Sequence, residues 1–307
     1  MRTKLISLFL ATLICVFSCW IPIYAIEQSE ATEATIVGAE LMLNNDIDLI
    51  VTATVSVNTT DVRMRFLVEN KSAAITVKGV KEPDLPQYQF TYTGLLPQNM
   101  TDDIQMELLI DGTIVATKHY SVREYCLHKL NDETSSPQLK TLVEAMLHYG
   151  AAAQMFCEYR VGSLANQSLT APIYDFSAIA QEITESITTS GTSVWKSASV
   201  LLESQVALKV VTTKKDNNFT IYQTGDSLAD TCTPDDSGAI YYRGICPNEL
   251  DRDIVITYWG YSNPAKVNVS VNACLNSLLS DASISIAVKT LAASLYQYGL
   301  AEKAYTE

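Results

Sequence analysis

An internal repeat constrains the fold of this 307-residue chain more than any other feature of its sequence. Residues 120–150 (YSVREYCLHKLNDETSSPQLKTLVEAMLHYG) align without a gap on residues 269–299 (VSVNACLNSLLSDASISIAVKTLAASLYQYG). A repeat of this length indicates two copies of one structural unit, and so it changes the domain count. The identical pairs are Ser121/Ser270, Val122/Val271, Leu130/Leu279, Asp132/Asp281, Ser136/Ser285, Lys140/Lys289, Thr141/Thr290, Leu142/Leu291, Tyr149/Tyr298 and Gly150/Gly299.

The match continues upstream of the aligned block with a shift of one residue. We therefore predict a first β-rich unit with a C-terminal helical hairpin at residues 26–160, a linker at 161–192 and a second homologous unit at 193–307. Each unit has the size of an ordinary domain. The upstream pairs are Tyr92/Tyr242, Gly94/Gly244, Pro97/Pro247, Asp103/Asp253 and Ile104/Ile254.

The first two thirds of each unit have the pattern of strands. Apolar residues alternate with mostly polar ones, which is typical of strands with one buried face. Asp111-Gly112 between two such runs predicts a hairpin turn. The alternating runs are Ile47 to Val57, Val62 to Val68 and Ile104 to Ile110 in the first unit, and Val206 to Val210, Ile254 to Tyr258 and Val267 to Val271 in the second.

The last third of each unit changes to helical periodicity, with apolar residues three and four apart from Leu139 onward. Ser121 is a candidate N-cap of a preceding helix, and Pro137 is placed to begin the next one. Gly150 and Gly299 recur inside the helical pattern, which suggests a close contact of the helix against the sheet. The fold class is therefore α+β, with two tandem units, each an antiparallel sheet or sandwich followed by an αα hairpin.

The N-terminus has the pattern of a signal peptide at residues 1–25. Arg2 and Lys4 precede an apolar run, and a cleavage point follows Ala25. Because the run is shorter than the roughly 20 residues of a spanning helix, we expect cleavage, with no stable membrane span afterwards. The alternatives are a retained anchor and lipoprotein processing at Cys19, whose preceding residues Val16-Phe17-Ser18 fit that signal poorly. The expected location is secreted or cell surface.

Charge and cysteine content exclude several classes of protein. A net charge of -13 without a basic run argues against nucleic acid as a partner. Signal cleavage leaves an odd number of cysteines, so at least one is free or paired between chains. Proximity of Cys126 to Cys157 and burial of unpaired thiols both stay open. The remaining cysteines are Cys126, Cys157, Cys232, Cys246 and Cys274, whose pairing the sequence does not determine.

No pattern of residues indicates catalysis. The sequence lacks a nucleophile elbow, a zinc-protease motif and a phosphate-binding glycine loop, so we predict no catalytic residues, no metal and no cofactor. Four aspartates in one stretch suggest calcium ligation, but their spacing matches no regular calcium loop. They are Asp226, Asp230, Asp235 and Asp236.

Aromatic residues give the best indication of a ligand site. Tyr258, Trp259 and Tyr261 flank a turn (YWGYSNP) at the place of the Asp111-Gly112 hairpin in the first unit. At least one of these rings should face solvent, where it can stack on a sugar while Asn263 bonds the hydroxyl groups. We therefore predict ligand binding by Tyr258, Trp259, Tyr261 and Asn263. The alternative is that Tyr258 points inward and Trp259 covers the sheet edge.

Three segments resemble a repeat module of uncharacterised secreted and cell-surface proteins of Gram-positive anaerobic bacteria. They are HYSVREYCLHKL, LKTLVEAMLHYGAAAQMFCEY and GSLANQSL, and the second unit keeps the pattern in degenerate form. The resemblance implies an extracellular accessory or adhesive role and supplies no catalytic residues.

These observations lead to three hypotheses. The first is a non-catalytic extracellular binding or adhesion protein that recognises a glycan or a surface protein. The second is a structural cell-surface assembly protein, because exposed strand edges favour pairing. The third is a hydrolase, which paired carboxylates converging in a cleft would favour.

Overall fold

The computed structural model describes residues 34–44, 46–56, 59, 61–83, 85–183, 185–190, 193–202, 206–215, 219–243, 245–260 and 262–307. The predicted signal peptide at residues 1–25, as well as Tyr261, lies outside the described residues. Glu33–Glu307 forms one compact unit. The predicted boundaries at residues 160 and 193 stay predictions.

The predicted α+β class is confirmed, since the described residues form five α-helices and four antiparallel sheets. The helices are α1 (Val122–Asn131), α2 (Pro137–Phe156), α3 (Phe176–Glu182), α4 (Val271–Ser280) and α5 (Ile286–Thr306), with 3₁₀ turns at Pro97–Asn99 and Pro247–Glu249. The strands are β1 (Ala34–Asn44), β2 (Asp46–Val55), β3 (Val62–Val68), β4 (Ile75–Lys78), β5 (Val80–Lys81), β6 (Gln87–Leu95), β7 (Ile104–Ile110), β8 (Thr113–Tyr120), β9 (Thr188–Thr189), β10 (Trp195–Leu202), β11 (Val206–Thr212), β12 (Phe219–Gln223), β13 (Asp230–Cys232), β14 (Ala239–Arg243), β15 (Ile254–Tyr258) and β16 (Ala265–Val269).

The strand order of the first half recurs in the second. The first half has sheets of order β1-β2-β6-β5 and β4-β3-β7-β8, and the second has β10-β11-β14 and β13-β12-β15-β16-β9. The register agrees with the sequence alignment, because Leu49 lies opposite Tyr92 and Leu208 lies opposite Tyr242. The homology of the two halves stays a prediction.

Aromatic pairs join the facing sheets in each half. The ring of Phe66 in β3 lies 4.9 Å from that of Tyr92 in β6. In the second half, Trp195 in β10 lies 5.8 Å from Phe219 in β12. Each half therefore has a core between two sheets. Val271 does not extend the last strand as the alternation predicts, because α4 begins at this residue.

Serine side chains begin the four longer helices. Ser121 caps α1 by accepting a hydrogen bond from the Glu124 amide, and Ser270 caps α4 by accepting one from Ala273 at 3.0 Å. Ser136 and Ser285 do the same for α2 and α5. These bonds satisfy amide groups that have no partner in the first turn of a helix. The predicted cap at Ser121 and the predicted helix start at Pro137 are confirmed.

Gly150 and Gly299 contact the 3₁₀ turns rather than the sheet strands. A Cβ atom on Gly299 would collide with the Pro247 carbonyl oxygen and lie 2.9 Å from Leu250 Cδ1. One on Gly150 would collide with Met100 Sδ and lie 3.1 Å from the Pro97 oxygen. The predicted close contact of each glycine exists, but the prediction that the sheet is its partner was wrong, because the partner is a 3₁₀ turn. Each glycine lets its helix lie directly on the turn that precedes β7 or β15.

Helices α2 and α5 pack on each other and connect the two halves. The rings of Tyr149 and Tyr298 stack with centroids 5.7 Å apart, and both residues are buried. The predicted linker contributes two further contacts, since α3 packs on α4 and β9 pairs with β16. Across the described ranges, no helix combines the length and apolarity needed to cross a membrane.

Candidate functional site

The hairpin between β15 and β16 holds the residues that the sequence predicts for ligand binding. The last paired residues of this hairpin are Tyr258 and Ala265. Tyr258 is buried, and its ring lies 5.1 Å from that of Phe219. The Tyr258 ring therefore belongs to the core, as the inward alternation of β15 requires. Gly260 leaves room for that ring, because a Cβ atom at residue 260 would collide with the phenol group.

Trp259 has the opposite orientation. The residue is 54% exposed, and its indole Nε1 donates a hydrogen bond to Thr220 Oγ1 at 3.1 Å. Thr220 lies on β12, the strand next to β15. The sheet therefore holds the indole ring through its N–H group, while the ring stays exposed. Asn263 is exposed in the same turn. The hairpin therefore presents a large apolar ring and an amide side chain on a sheet-supported turn.

A cleft of about 600 Å³ in the second half was not predicted from the sequence. It lies between the 3₁₀ turn, the loop before β15, the end of α5 and the segment before β9. Each of its lining residues is charged or polar. The lining residues are Glu185, Thr224, Asn248, Glu249, Asp251, Arg252, Asp253, Lys303, Thr306 and Glu307.

The two cations of this cleft already bind carboxylates. Lys303 Nζ lies 2.6 Å from Asp251 Oδ2. Arg252 pairs with Glu249, lies 3.3 Å from Asp226 and donates to the Thr224 carbonyl oxygen. Because carboxylates outnumber cations along the lining, the interior of the cleft is acidic.

Glu185 is the most perturbed carboxyl group of the cleft lining. Burial, together with the nearby Asp251 and Asp253, raises its pKa to about 7. Its Oε2 atom is buried without a hydrogen-bond partner among the described residues. Burial and the neighbouring acidic residues both favour the neutral form of the Glu185 carboxyl group. The surroundings of Glu185 therefore favour its protonated form in the cleft.

The corresponding region of the first half is filled by its own chain. Asp102 is fully buried and accepts hydrogen bonds from Tyr159 Oη and Asn99 Nδ2, each at 2.8 Å, and from Arg160 at 3.2 Å. Burial raises the pKa of Asp102, and these bonds oppose the rise. Glu158 and Arg160 adopt positive φ angles of 53° and 49°, which turn the chain after α2 into this position. The first half therefore has a bonded cluster around Asp102 where the second half has its cleft.

Neither metal ligation nor a disulfide appears in the part of the chain that the structure describes. There, no group of three or more His, Cys, Asp and Glu residues could hold a metal ion. Asp226 pairs with Arg252, whereas Asp235 accepts hydrogen bonds from Ser237 and Ala239 in another turn.

Cys126 and Cys157, whose proximity the sequence left open, are not joined by a disulfide. Cys126 is a buried free thiol whose pKa is raised to about 12 by burial, and Cys157 is a free exposed thiol after α2. The buried-thiol alternative therefore applies to Cys126.

No known family model matches this chain, and no curated protein matches it either. The geometry of the Trp259 hairpin and of the acidic cleft is therefore the basis for assigning a function.

Proposed function

We propose that this protein is a non-catalytic extracellular binding protein that recognises a glycan through the β15–β16 hairpin. The observation that carries the proposal is Trp259, whose ring is 54% exposed although its indole nitrogen is bonded to Thr220. An exposed ring held by a sheet can stack on the apolar face of a sugar with little loss of conformational entropy. Asn263 supplies a donor and an acceptor for hydroxyl groups.

The proposal includes export and duplication. The signal-peptide pattern of residues 1–25 supports a secreted or cell-surface location. The repeated strand order and the matching registers support two homologous units, one derived from the other by duplication. The resemblance to modules of bacterial surface proteins supports an accessory or adhesive role. On this account, the second unit binds the ligand, because Trp259 lies there.

The test is binding of residues 26–307 to a panel of neutral and acidic polysaccharides by calorimetry. Trp259→Ala should weaken binding of the recognised glycan at least about tenfold, as expected for an aromatic anchor. Tyr305→Ala is the matched control, because Tyr305 is also an exposed aromatic residue, 46% accessible at the end of α5. Equal affinity of the wild type and Trp259→Ala would contradict the proposal.

The acidic cleft favours a second candidate function, hydrolysis of a glycosidic bond. A proton donor and an ionised carboxylate on one cleft are the groups that acid–base hydrolysis requires. Glu185, with its pKa of about 7, suits the donor, and Asp251 or Asp253, which line the same cleft, suits the second carboxyl group. Release of reducing ends from the same panel, lost in Glu185→Gln and kept in Glu182→Gln, would establish this function. Without such release by the wild type, it is rejected.

A further inference from the structure

The outer face of the β10-β11-β14 sheet carries a basic and aromatic cluster. Lys209 on β11 lies opposite Tyr241 on β14 and opposite Ser199 on β10. Its ammonium group is 5.7 Å from the centre of the Tyr241 ring, and the Arg243 guanidinium is 4.7 Å from the same centre. Side chains on this face point away from Leu208 and Val210, which are buried between the sheets. The phenol group thus orients two cations on an outward surface.

Neither cation is neutralised by an ion pair with another described residue. Among those residues, the ion pairs of lysine and arginine involve Arg63, Arg65, Arg160, Arg252 and Lys303. The acidic residue Asp235 contacts the ring of this cluster, since its Oδ2 accepts a hydrogen bond of 3.4 Å from Tyr241 Oη. In a chain of net charge -13, two unpaired cations on one ring form a local site of opposite sign.

The first half shows that the fold does not require this cluster. Its equivalent strands place Ile50 opposite Thr91 and opposite Glu40, where the second half has Lys209, Tyr241 and Ser199. The sequence shift that aligns Tyr92 with Tyr242 places Thr93 at the position of Arg243. These positions of the first half thus carry neither a cation nor an aromatic ring. A structural role common to both sheets therefore does not explain Lys209, Tyr241 and Arg243.

We propose that Lys209 and Arg243 bind carboxylate groups of an acidic polysaccharide, one that contains uronic acid residues. This proposal rests on the proposed glycan-binding function and names its ligand class, but it uses residues other than Trp259. The planar guanidinium of Arg243 matches a carboxylate in bidentate geometry, and Lys209 supplies a second point charge. The exposed hydroxyl of Ser199 adds a polar group for a sugar hydroxyl.

The charge distribution favours a polysaccharide over a denser polyanion. Nucleic acids bind through many phosphate contacts, and the acidic remainder of this chain would repel a partner of that charge density. A polysaccharide with spaced carboxylates needs only a few cations and can use neutral sugars for the remaining contacts. Two oriented cations fit that requirement.

The experiment compares polygalacturonate with its fully methyl-esterified form, which has the same sugars without the charge. The wild type should bind the acid at least tenfold more tightly than the ester, and added salt should weaken this preference. Lys209→Ala/Arg243→Ala should bring the affinity for the acid down to that for the ester. Lys78→Ala is the control, since Lys78 is an exposed lysine on β4 of the first half.

Three results would overturn the inference. They are equal binding of acid and ester by the wild type, unchanged affinity of the double variant, and binding of dextran sulfate or inorganic phosphate in place of polygalacturonate. Thermal unfolding tests whether the double variant is folded, and Lys209→Gln/Arg243→Gln, which keeps long polar side chains at both positions, provides a second test. Trp259→Ala distinguishes glycan binding at the hairpin from carboxylate binding at Lys209 and Arg243. If the double variant loses the preference for the acid and Trp259→Ala keeps it, the result supports the Lys209 and Arg243 site independently of Trp259.

Discussion

At the scale of single residues, two glutamates stand out because burial raises the pKa of each carboxyl group to about 7. Glu302 on α5 is only 2% exposed, and its Oε2 atom has no hydrogen-bond partner among the described residues. Burial raises its pKa to about 7, opposed by a hydrogen bond from the Asn248 backbone. Glu185 has a similar pKa at the cleft. The folded protein therefore retains protons that the unfolded chain loses at lower pH.

This retention determines the sign of a pH dependence. The unfolded pKa is close to 4.5 and the folded pKa is about 7, so between these values the folded state binds more protons. The contribution of Glu302 to stability is fully present below pH 4.5 and is lost as the pH rises through 7. We predict that Glu302→Gln is more stable than the wild type at pH 8, by up to about 3 kcal/mol, and that the difference shrinks towards pH 5.

Urea denaturation at several pH values measures this difference. Glu133→Gln, a substitution of an exposed loop residue, is the control and should follow the wild type throughout. A Glu302→Gln curve that runs parallel to the wild-type curve from pH 5 to pH 8 would show that Glu302 does not titrate as described.

The sequence alone predicts the surroundings of the hairpin aromatic residues better than those of the two glutamates. Ligand binding was predicted for both Tyr258 and Trp259, with an inward Tyr258 as the alternative, and the structure buries Tyr258 while it exposes Trp259. Glu185 and Glu302 could not be found in this way. Their pKa values depend on burial by segments distant in the chain, and no local pattern distinguishes them from exposed glutamates.

At the scale of elements, the sequence predicts the long helices and several strands, among them β2, β7 and β15, but it misses both internal strands such as β6 and β12 and edge strands. The alternation over β2 and the serine caps are strong local signals. The strands β1 and β10 were missed because edge strands are partly exposed on both faces and lose regular alternation. The two-residue strand β9 has no signal of its own, since its existence depends on β16. The acidic cleft could not be predicted either, because its lining comes from several segments that are distant in the sequence.

The contact of Gly299 with its 3₁₀ turn gives a prediction at this scale. In Gly299→Ala, the new methyl group would meet the Pro247 carbonyl oxygen, which cannot move without shifting the backbone. The clash outweighs the gain in helix propensity, so we expect a net loss of about 1–2 kcal/mol in the free energy of unfolding. Chemical denaturation measures the loss.

Two further glycine variants serve as comparisons. Gly150→Ala should cost less, because the nearest atom belongs to the flexible side chain of Met100. Gly162→Ala should be close to neutral, because no atom lies within 4 Å of its added Cβ. A neutral or stabilising Gly299→Ala would mean that helix α5 does not lie on the turn as closely as described.

At the scale of the whole molecule, the two halves are coupled through their helices. The stacked rings of Tyr149 and Tyr298 occupy equivalent positions of the repeat and meet between α2 and α5. The repeat predicted that both residues recur, but recurrence could not show that they contact each other. Contacts between copies depend on the arrangement of complete units, which the alignment does not contain.

The coupling can be measured by a double-mutant cycle with Tyr149→Leu and Tyr298→Leu. We predict that the two losses of stability are non-additive by about 0.5–1.5 kcal/mol, the range for an aromatic pair. Tyr298→Leu combined with Tyr88→Leu on β6 should be additive. Additivity of the Tyr149 and Tyr298 substitutions, together with separate unfolding transitions for the two halves, would show that the halves are independent.

Glycan recognition by this protein depends most on the exposed ring of the β15–β16 hairpin. The most direct test is the affinity of residues 26–307 for the best glycan of the panel, measured by calorimetry for the wild type, Trp259→Ala and Tyr305→Ala. We predict at least a tenfold loss for Trp259→Ala, no loss for Tyr305→Ala and the same unfolding midpoint for all three. Binding by Trp259→Ala with wild-type affinity would contradict glycan recognition at this hairpin.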